Sequence, residues 1–243
     1  MTGGNKIDSV TSELQRAAPV AFESLSLEGR RIGLVIVDEV VGFASVGGGN
    51  LAPRTENAQI SRMIRETAAL ARSFVAAQRP ILAFLDTHEA SKPEPPYPPH
   101  CVEGSGEEKL VPELAWLAVE PLATLVRKDC INGFIGAMTP KGNRLIDWLR
   151  DQRLDSVLTV GICTDICVMD FVLTLLSVRN HGLTITLKDI YVYEPGCATY
   201  DLPEAAVRAA GLPETAIHPQ GPTHHMGLYF MAARGARLID AIA

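Results

Sequence analysis

The sequence predicts an α/β fold: a doubly wound, mostly parallel sheet flanked by helices on both faces. Three observations carry this. Short continuous apolar runs, the signature of strands buried on both faces, recur at 32–37, 81–85 and 157–160. Segments of helical periodicity separate them. Polar residues follow directly after the runs, as happens where parallel strands end at a ligand cleft.

Taken in order, residues 1–30 are polar and weakly patterned, and read as an N-terminal extension, either a helical arm or a cover over one face. Residues 31–243 read as one domain, with no repeat and no linker. The run 32–37 is a strand ending at Asp38. A helix is predicted over 58–78, stopping before Arg79-Pro80. The second strand, 81–85, ends at Asp86. Residues 89–108 form a loop stiffened by Pro93, Pro95, Pro96, Pro98 and Pro99, long enough to suggest a functional role. A third strand over 123–127 ends at Lys128, and a helix over 144–150 leads to the strand 157–160. That strand breaks at Gly161. Thr164 and Asp165, both good N-cap residues, then lead into a helix over 168–178. A strand over 183–193 and helices over 203–210 and 224–235 complete the reading.

Composition narrows the class. The chain has 243 residues, 47% hydrophobic and 21% charged, with a formal net charge of −6, so it is expected to fold as a globule. With no basic run, nucleic acid is not expected as a partner. No apolar stretch reaches the length of a membrane span, and MTGGNKIDSV lacks the order of a signal peptide, so no membrane partner is expected either. Five cysteines without a pairing framework suit reduced thiols in the cytoplasm.

Two constellations carry chemistry. Cys167 falls at the start of a predicted helix, where free N–H groups and the helix dipole favour a thiolate and an oxyanion site. The plain alternative is a small buried hydrophobe. Lys128 near the sulfur stabilises the thiolate, and Asp38 serves as general base and then acid; the alternative is a structural ion pair. A papain-like pairing with a distant histidine such as His224 is a further alternative. The second constellation is Asp86 and His88, with Glu94 and His100 on the proline loop. Imidazole and carboxylate suit a divalent transition metal such as zinc, iron or manganese. Here the alternative is ordinary loop histidines. His224 and His225 read as surface or interface residues, and Cys130 and Cys197 as structural.

These residues carry a resemblance. Asp38 with Phe43, Asp86-Thr87-His88, the stretch from Tyr97 to Ser105, Arg127-Lys128-Asp129 and the stretch from Gly161 to Val168 resemble the isochorismatase-like cysteine hydrolases, and among them the nicotinamidases of plant type. The likeness runs in order from about Gly33 to Ala198 and more weakly to the C-terminus. It implies an isochorismatase-like three-layer sandwich and hydrolysis of nicotinamide to nicotinate and ammonia. By the same resemblance Asp38, Lys128 and Cys167 are the catalytic residues, and the N–H groups of Cys163 and Cys167 form the oxyanion hole beside a cis Ile162–Cys163 bond. Phe43, Tyr97 and Ile162 line the substrate site. Asp86, His88, His100 and Glu94 are the metal ligands. Tyr97 stands where tryptophan is common, and Val40-Val41-Gly42 replaces a polar triplet. Relatives often assemble, so a homo-oligomer acting on a small amide is expected. A metal-independent hydrolase of another amide or carbamoyl compound, and a non-catalytic binding protein, are the rival expectations.

Overall fold

The apolar runs line up side by side. The computed structural model describes residues 3–92 and 94–243. Its strands are β1 (Phe22–Leu25), β2 (Ile32–Val37), β3 (Ile81–Asp86), β4 (Ala123–Lys128), β5 (Met138–Thr139), β6 (Gly142–Asn143), β7 (Ser156–Ile162), β8 (Asp189–Ala198) and β9 (Arg237–Ile242). Its α-helices are α1 (Gly3–Ala17), α2 (Val41–Ala44), α3 (Ala58–Ala76), α4 (Gly133–Gly136), α5 (Arg144–Asp151), α6 (Met169–His181), α7 (Glu204–Ala209) and α8 (Gln220–Ala232). Asn57 and Asn143 start α3 and α5 by accepting hydrogen bonds from the first helical N–H groups.

Seven strands form one sheet in the order β1-β9-β8-β7-β2-β3-β4, and every pairing is parallel. β5 and β6 make a separate small hairpin. Alternate side chains of each central strand face opposite layers. Val35, Val37, Leu82 and Phe84 pack with Trp148 of α5, Phe171 of α6 and Leu228 of α8. Leu34, Ile36, Ile81 and Ala83 pack on the other face with Met63 and Phe74 of α3 and Leu114 of the 3-10 turn Pro112–Val119. Both faces are covered, which is why β2, β3 and β7 have no exposed residue and read as unbroken apolar runs.

The strand expected at 183–193 lies later, at Asp189–Ala198. Gly182 ends α6 in the left-handed conformation, and Leu183 and Ile185 point into solvent. The strand then runs through Pro195-Gly196, where the β7–β8 register shifts between Thr159 and Gly161. Helix α8 begins four residues before the expected start, since Pro222 is tolerated in a first turn. The stretch 1–30 supplies α1, which packs on α8, and β1, which pairs with β9 at the sheet edge.

Candidate active site

Along the chain the sheet grows outward from β2 to β3 and β4, then restarts at β7 and grows the other way. The order therefore reverses between β2 and β7, and a ligand crevice opens beyond the carboxyl ends of strands at such a point. Asp38 leaves β2 there and Cys167 follows β7. Val37 and Gly161 are register partners, which brings the two strand ends together. Gly161 has φ +131°, and a Cβ on it would lie 2.1 Å from the Val37 carbonyl oxygen, so only glycine permits this approach. Asp38 itself sits at φ +55°, a left-handed conformation uncommon outside glycine.

One strand further out, Asp86 and Lys128 are register partners at the ends of β3 and β4. The Lys128 ammonium lies 2.8 Å from Asp38 Oδ2 and 2.9 Å from Asp86 Oδ1, and donates to the Cys130 carbonyl at 2.9 Å. Asp38 and Lys128 are both out of solvent. Burial opposes every charge here, but the three Lys128 neighbours Asp38, Cys167 and Asp86 hold its ammonium well above the ordinary range. Burial, aided by the charge of Asp86, pushes the Asp38 carboxyl up against the pull of Lys128. Asp86 goes the other way: burial works against it, but Lys128, His100 and His88 hold it well below the carboxylate range. The two carboxylates flanking one ammonium are thereby driven apart, the pattern that separates a proton carrier from a permanent anion.

Cys167 is 8% exposed, on the same side of the sheet as Val37 and Phe84. Burial pushes its thiol well above the ordinary range, more than Lys128 draws it down. Burial therefore works against the thiolate that the start of a helix favours. Asp38, whose own carboxyl is raised by burial, is the hydrogen-bonding partner of this thiol. Cys167 also lies one step before the helix, in a single π turn, Thr164–Val168, ahead of α6. Thr164 and Asp165 do not cap it. The turn opens at Cys163 without a side-chain cap. The Thr164 hydroxyl instead meets His224 Nδ1 at 2.8 Å, and Asp165 takes hydrogen bonds from Thr199 at 2.6 Å and His218 at 2.8 Å.

Asp86, His88 and His100 form a buried donor cluster whose ligand atoms all lie within 4.8 Å of one another. His88 Nε2 and His100 Nε2 are 3.0 and 3.2 Å from Asp86 Oδ2. Glu94 Oε2 stands at 3.7 and 3.6 Å from the two imidazoles, while its other oxygen accepts from the Ile131 N–H. Burial lowers the His100 pKa, but hydrogen bonds to Asp86 and Glu94 more than reverse this and lift it to about 10. The pairing of His88 N–H with Cys101 C=O, and of Glu103 N–H with His88 C=O, clips the far end of the proline loop onto the end of β3.

Phe43 and Tyr97 flank this cluster, with ring centroids 5.6 and 6.0 Å from that of His100. Burial raises the Tyr97 phenol, and Cys167 and Cys163 raise it further. Ile162 is 1% exposed and joined to Cys163 by a cis peptide bond. Cys163 is half-buried, and burial pushes its thiol up to about 12. Cys101 packs in the core below α2 and Cys197 in the core beside β7. His224 and His225, expected at the surface or an interface, are buried within the chain itself: the second donates to the Ala18 carbonyl at 2.9 Å. His224 meets Thr164, not the Cys167 thiol, so the papain-like pairing does not form. Sequence reasoning passed over Thr199, Tyr200 and His218, which pack behind the turn with Tyr200 stacked on His218 at 3.8 Å. Thr199 and Tyr200 follow directly after the end of β8, which is a signal; His218, between a 3-10 turn and α8, carries none.

Comparison with known proteins agrees with this arrangement. The isochorismatase domain model matches residues 33–214. The chain is 47% identical to nicotinamidase 1 of Arabidopsis thaliana over 97% of both chains. It is 32% identical to the nicotinamidase/pyrazinamidase of Mycobacterium tuberculosis, over 65% of this chain and 84% of that protein. Its fold matches the nicotinamidase of Bacillus subtilis with a TM-score of 0.63 at 19% identity, covering 86% of this chain and 99% of the other. The pyrazinamidase of Pyrococcus horikoshii, solved in complex with zinc, matches at 0.59 and 18% identity, with coverage of 86% and 99%. A full-length match at nearly half identity, on a fold whose strand order reverses where Asp38 and Cys167 meet, makes this chain a member of the isochorismatase family and, within it, of the nicotinamidases.

Proposed function

We propose that the protein hydrolyses nicotinamide to nicotinate and ammonia through a thioester on Cys167, in the salvage of NAD. The observation that carries this is one buried ammonium, Lys128, shared by the Asp38 carboxyl, the Cys167 thiol and the Asp86 of the histidine cluster. Asp38 takes the thiol proton as the sulfur attacks the carboxamide carbon, and the C=O electron pair moves onto oxygen. The N–H groups of Cys163 and Cys167 meet that oxyanion. On collapse the C–N bond breaks, and Asp38 returns its proton to the leaving ammonia. Water then attacks the thioester and loses a proton to Asp38. The C–S bond breaks, the leaving thiolate takes that proton back from Asp38, and the carboxylic acid product loses its proton to solvent as nicotinate. Lys128 remains an ammonium throughout and steadies the negative charge that passes between sulfur and Asp38. Phe43 and Tyr97 hold the pyridine ring beside His100, which sets the carboxamide toward the sulfur.

The donor set suits a divalent cation. Ligands sharing an ion at about 2.1 Å stand about 3 to 3.5 Å apart, the range of the two Asp86–imidazole distances. Asp86, His88 and His100 are its ligands and Glu94 completes the set; zinc suits them best, with iron or manganese next. Such an ion supplies a Lewis acid that orients the ring nitrogen or a water. Ammonia release from nicotinamide, measured with and without a chelator and beside metal analysis, tests the reading. Activity lost on chelation and restored by metal is expected; full activity in the chelated protein overturns the metal assignment. Cys167→Ala is expected to abolish turnover with metal content unchanged. Near-normal turnover in that variant overturns the covalent route.

A further inference from the structure

We infer that His224 is a positioning residue for the Cys167 turn, which it holds through the hydroxyl of Thr164. A chain of polar contacts crosses four elements to reach this turn. Arg62 of α3 pairs with Glu194 of β8, Glu194 Oε1 lies 3.2 Å from His224 Nε2, and His224 Nδ1 lies 2.8 Å from Thr164 Oγ1. The chain has a direction. Burial acts to raise the Glu194 carboxyl, but hydrogen bonds from His224 and Arg62 hold it below the ordinary range, so Glu194 is an acceptor. His224 Nε2 therefore carries a hydrogen, and in the neutral ring Nδ1 is the acceptor that the Thr164 hydroxyl meets.

Glu194 and His224 line a groove of about 610 Å³ walled by α1, α8, β8 and residues of β1 and β9. The His224 ring is buried at its edge, and both of its nitrogens have a hydrogen-bond partner. Thr164 is fully buried and has no water to replace His224. The same helix touches the turn a second time: a Cβ on Gly227 would lie 2.8 Å from Asp165 Cα, so α8 lies directly on the backbone that precedes the thiol. Small shifts here move both the sulfur and the N–H groups of Cys163 and Cys167, and near-attack geometry is sensitive at that scale.

The inference rests on the hydrolytic reading for its kinetic test, so a second measurement independent of substrate accompanies it. Both kcat and KM for nicotinamide and the rate of Cys167 alkylation by iodoacetamide, located by peptide mapping, are measured in the full chain. Thr164→Val and His224→Leu are each expected to lower kcat about tenfold, with KM within about twofold, and to slow alkylation. The double variant is expected to be no worse than either alone, because both remove one contact. Thr164→Ser keeps the hydroxyl, and His224→Asn places its Oδ1 where Nδ1 stood; both are expected to recover most of the loss. A His224→Leu protein with unchanged kcat and alkylation, multiplicative losses in the double variant, or a folded His224→Asn as impaired as His224→Leu overturns the inference. Should His224→Leu fail to fold, the near-isosteric Thr164→Val and Thr164→Ser pair decides. If the wild type releases no ammonia but the alkylation series behaves as stated, the substrate reading falls and the positioning role stands.

Discussion

Asp38 combines a strained backbone with a carboxyl lifted by burial while Lys128 sits 2.8 Å away. As the acceptor of the thiol proton it must be ionised, so kcat/KM is expected to fall on the acid side with a midpoint above the ordinary carboxylate range. A profile flat down to pH 4 contradicts the role. Asp38→Asn removes the proton carrier and is expected to cost about 10²–10⁴-fold in kcat. In the donor cluster, His88→Ala leaves Asp86, His100 and Glu94 and is expected to weaken metal affinity by about 100-fold, read by metal analysis after dialysis. These residues were legible in the sequence because each follows directly after an apolar strand or stands on the proline loop. The state of the Cys167 thiol was not. A helix start favours the anion, but burial outweighs both that and Lys128, and burial is decided by packing from α6, α8 and the sheet.

The element that positions the thiol is the β7 end with its π turn. Gly161 is its most constrained point, and Gly161→Ala sets a Cβ against the Val37 carbonyl at a φ that disfavours alanine. A loss of about 2 kcal/mol or more is expected in a urea melt, together with lost activity as β2 and β7 part. The residue was visible in the sequence as a break after a strand, but its need to be glycine depends on β2 lying alongside. Thr164 and Asp165 show the same limit. Their local chemistry suits N-caps, yet partners 60 and 53 residues away, His224 and His218, claim them instead. Edge strands were harder still. β1 is short and partly exposed and β9 mixes polar with apolar residues, so neither carries the apolar run that marks a central strand.

At the scale of the whole molecule, the core holds a carboxylic acid that takes no part in the site. Glu39 is fully buried, accepts from the Thr67 hydroxyl at 2.6 Å through one oxygen, and leaves the other without a partner. Burial holds its pKa well above the ordinary carboxylate range, so the folded protein keeps the proton at a pH where the unfolded chain has lost it. That contribution is complete below the unfolded pKa and is lost as pH rises toward the folded one. Wild type is therefore expected to lose stability relative to Glu39→Gln as pH increases from about 5 to 8, in paired denaturant melts. An equal pH slope in the two proteins contradicts this.

The sequence by itself determined the layered α/β architecture, the strand ends that carry Asp38, Asp86 and Lys128, and the thiol turn, because buried parallel strands and the residues that end them are written in local pattern. Only the tertiary structure decided which strands are neighbours, which carboxyls are raised or lowered by their surroundings and which histidine meets the turn. Those outcomes depend on distances between residues far apart in the chain and on how completely water is excluded around each charge.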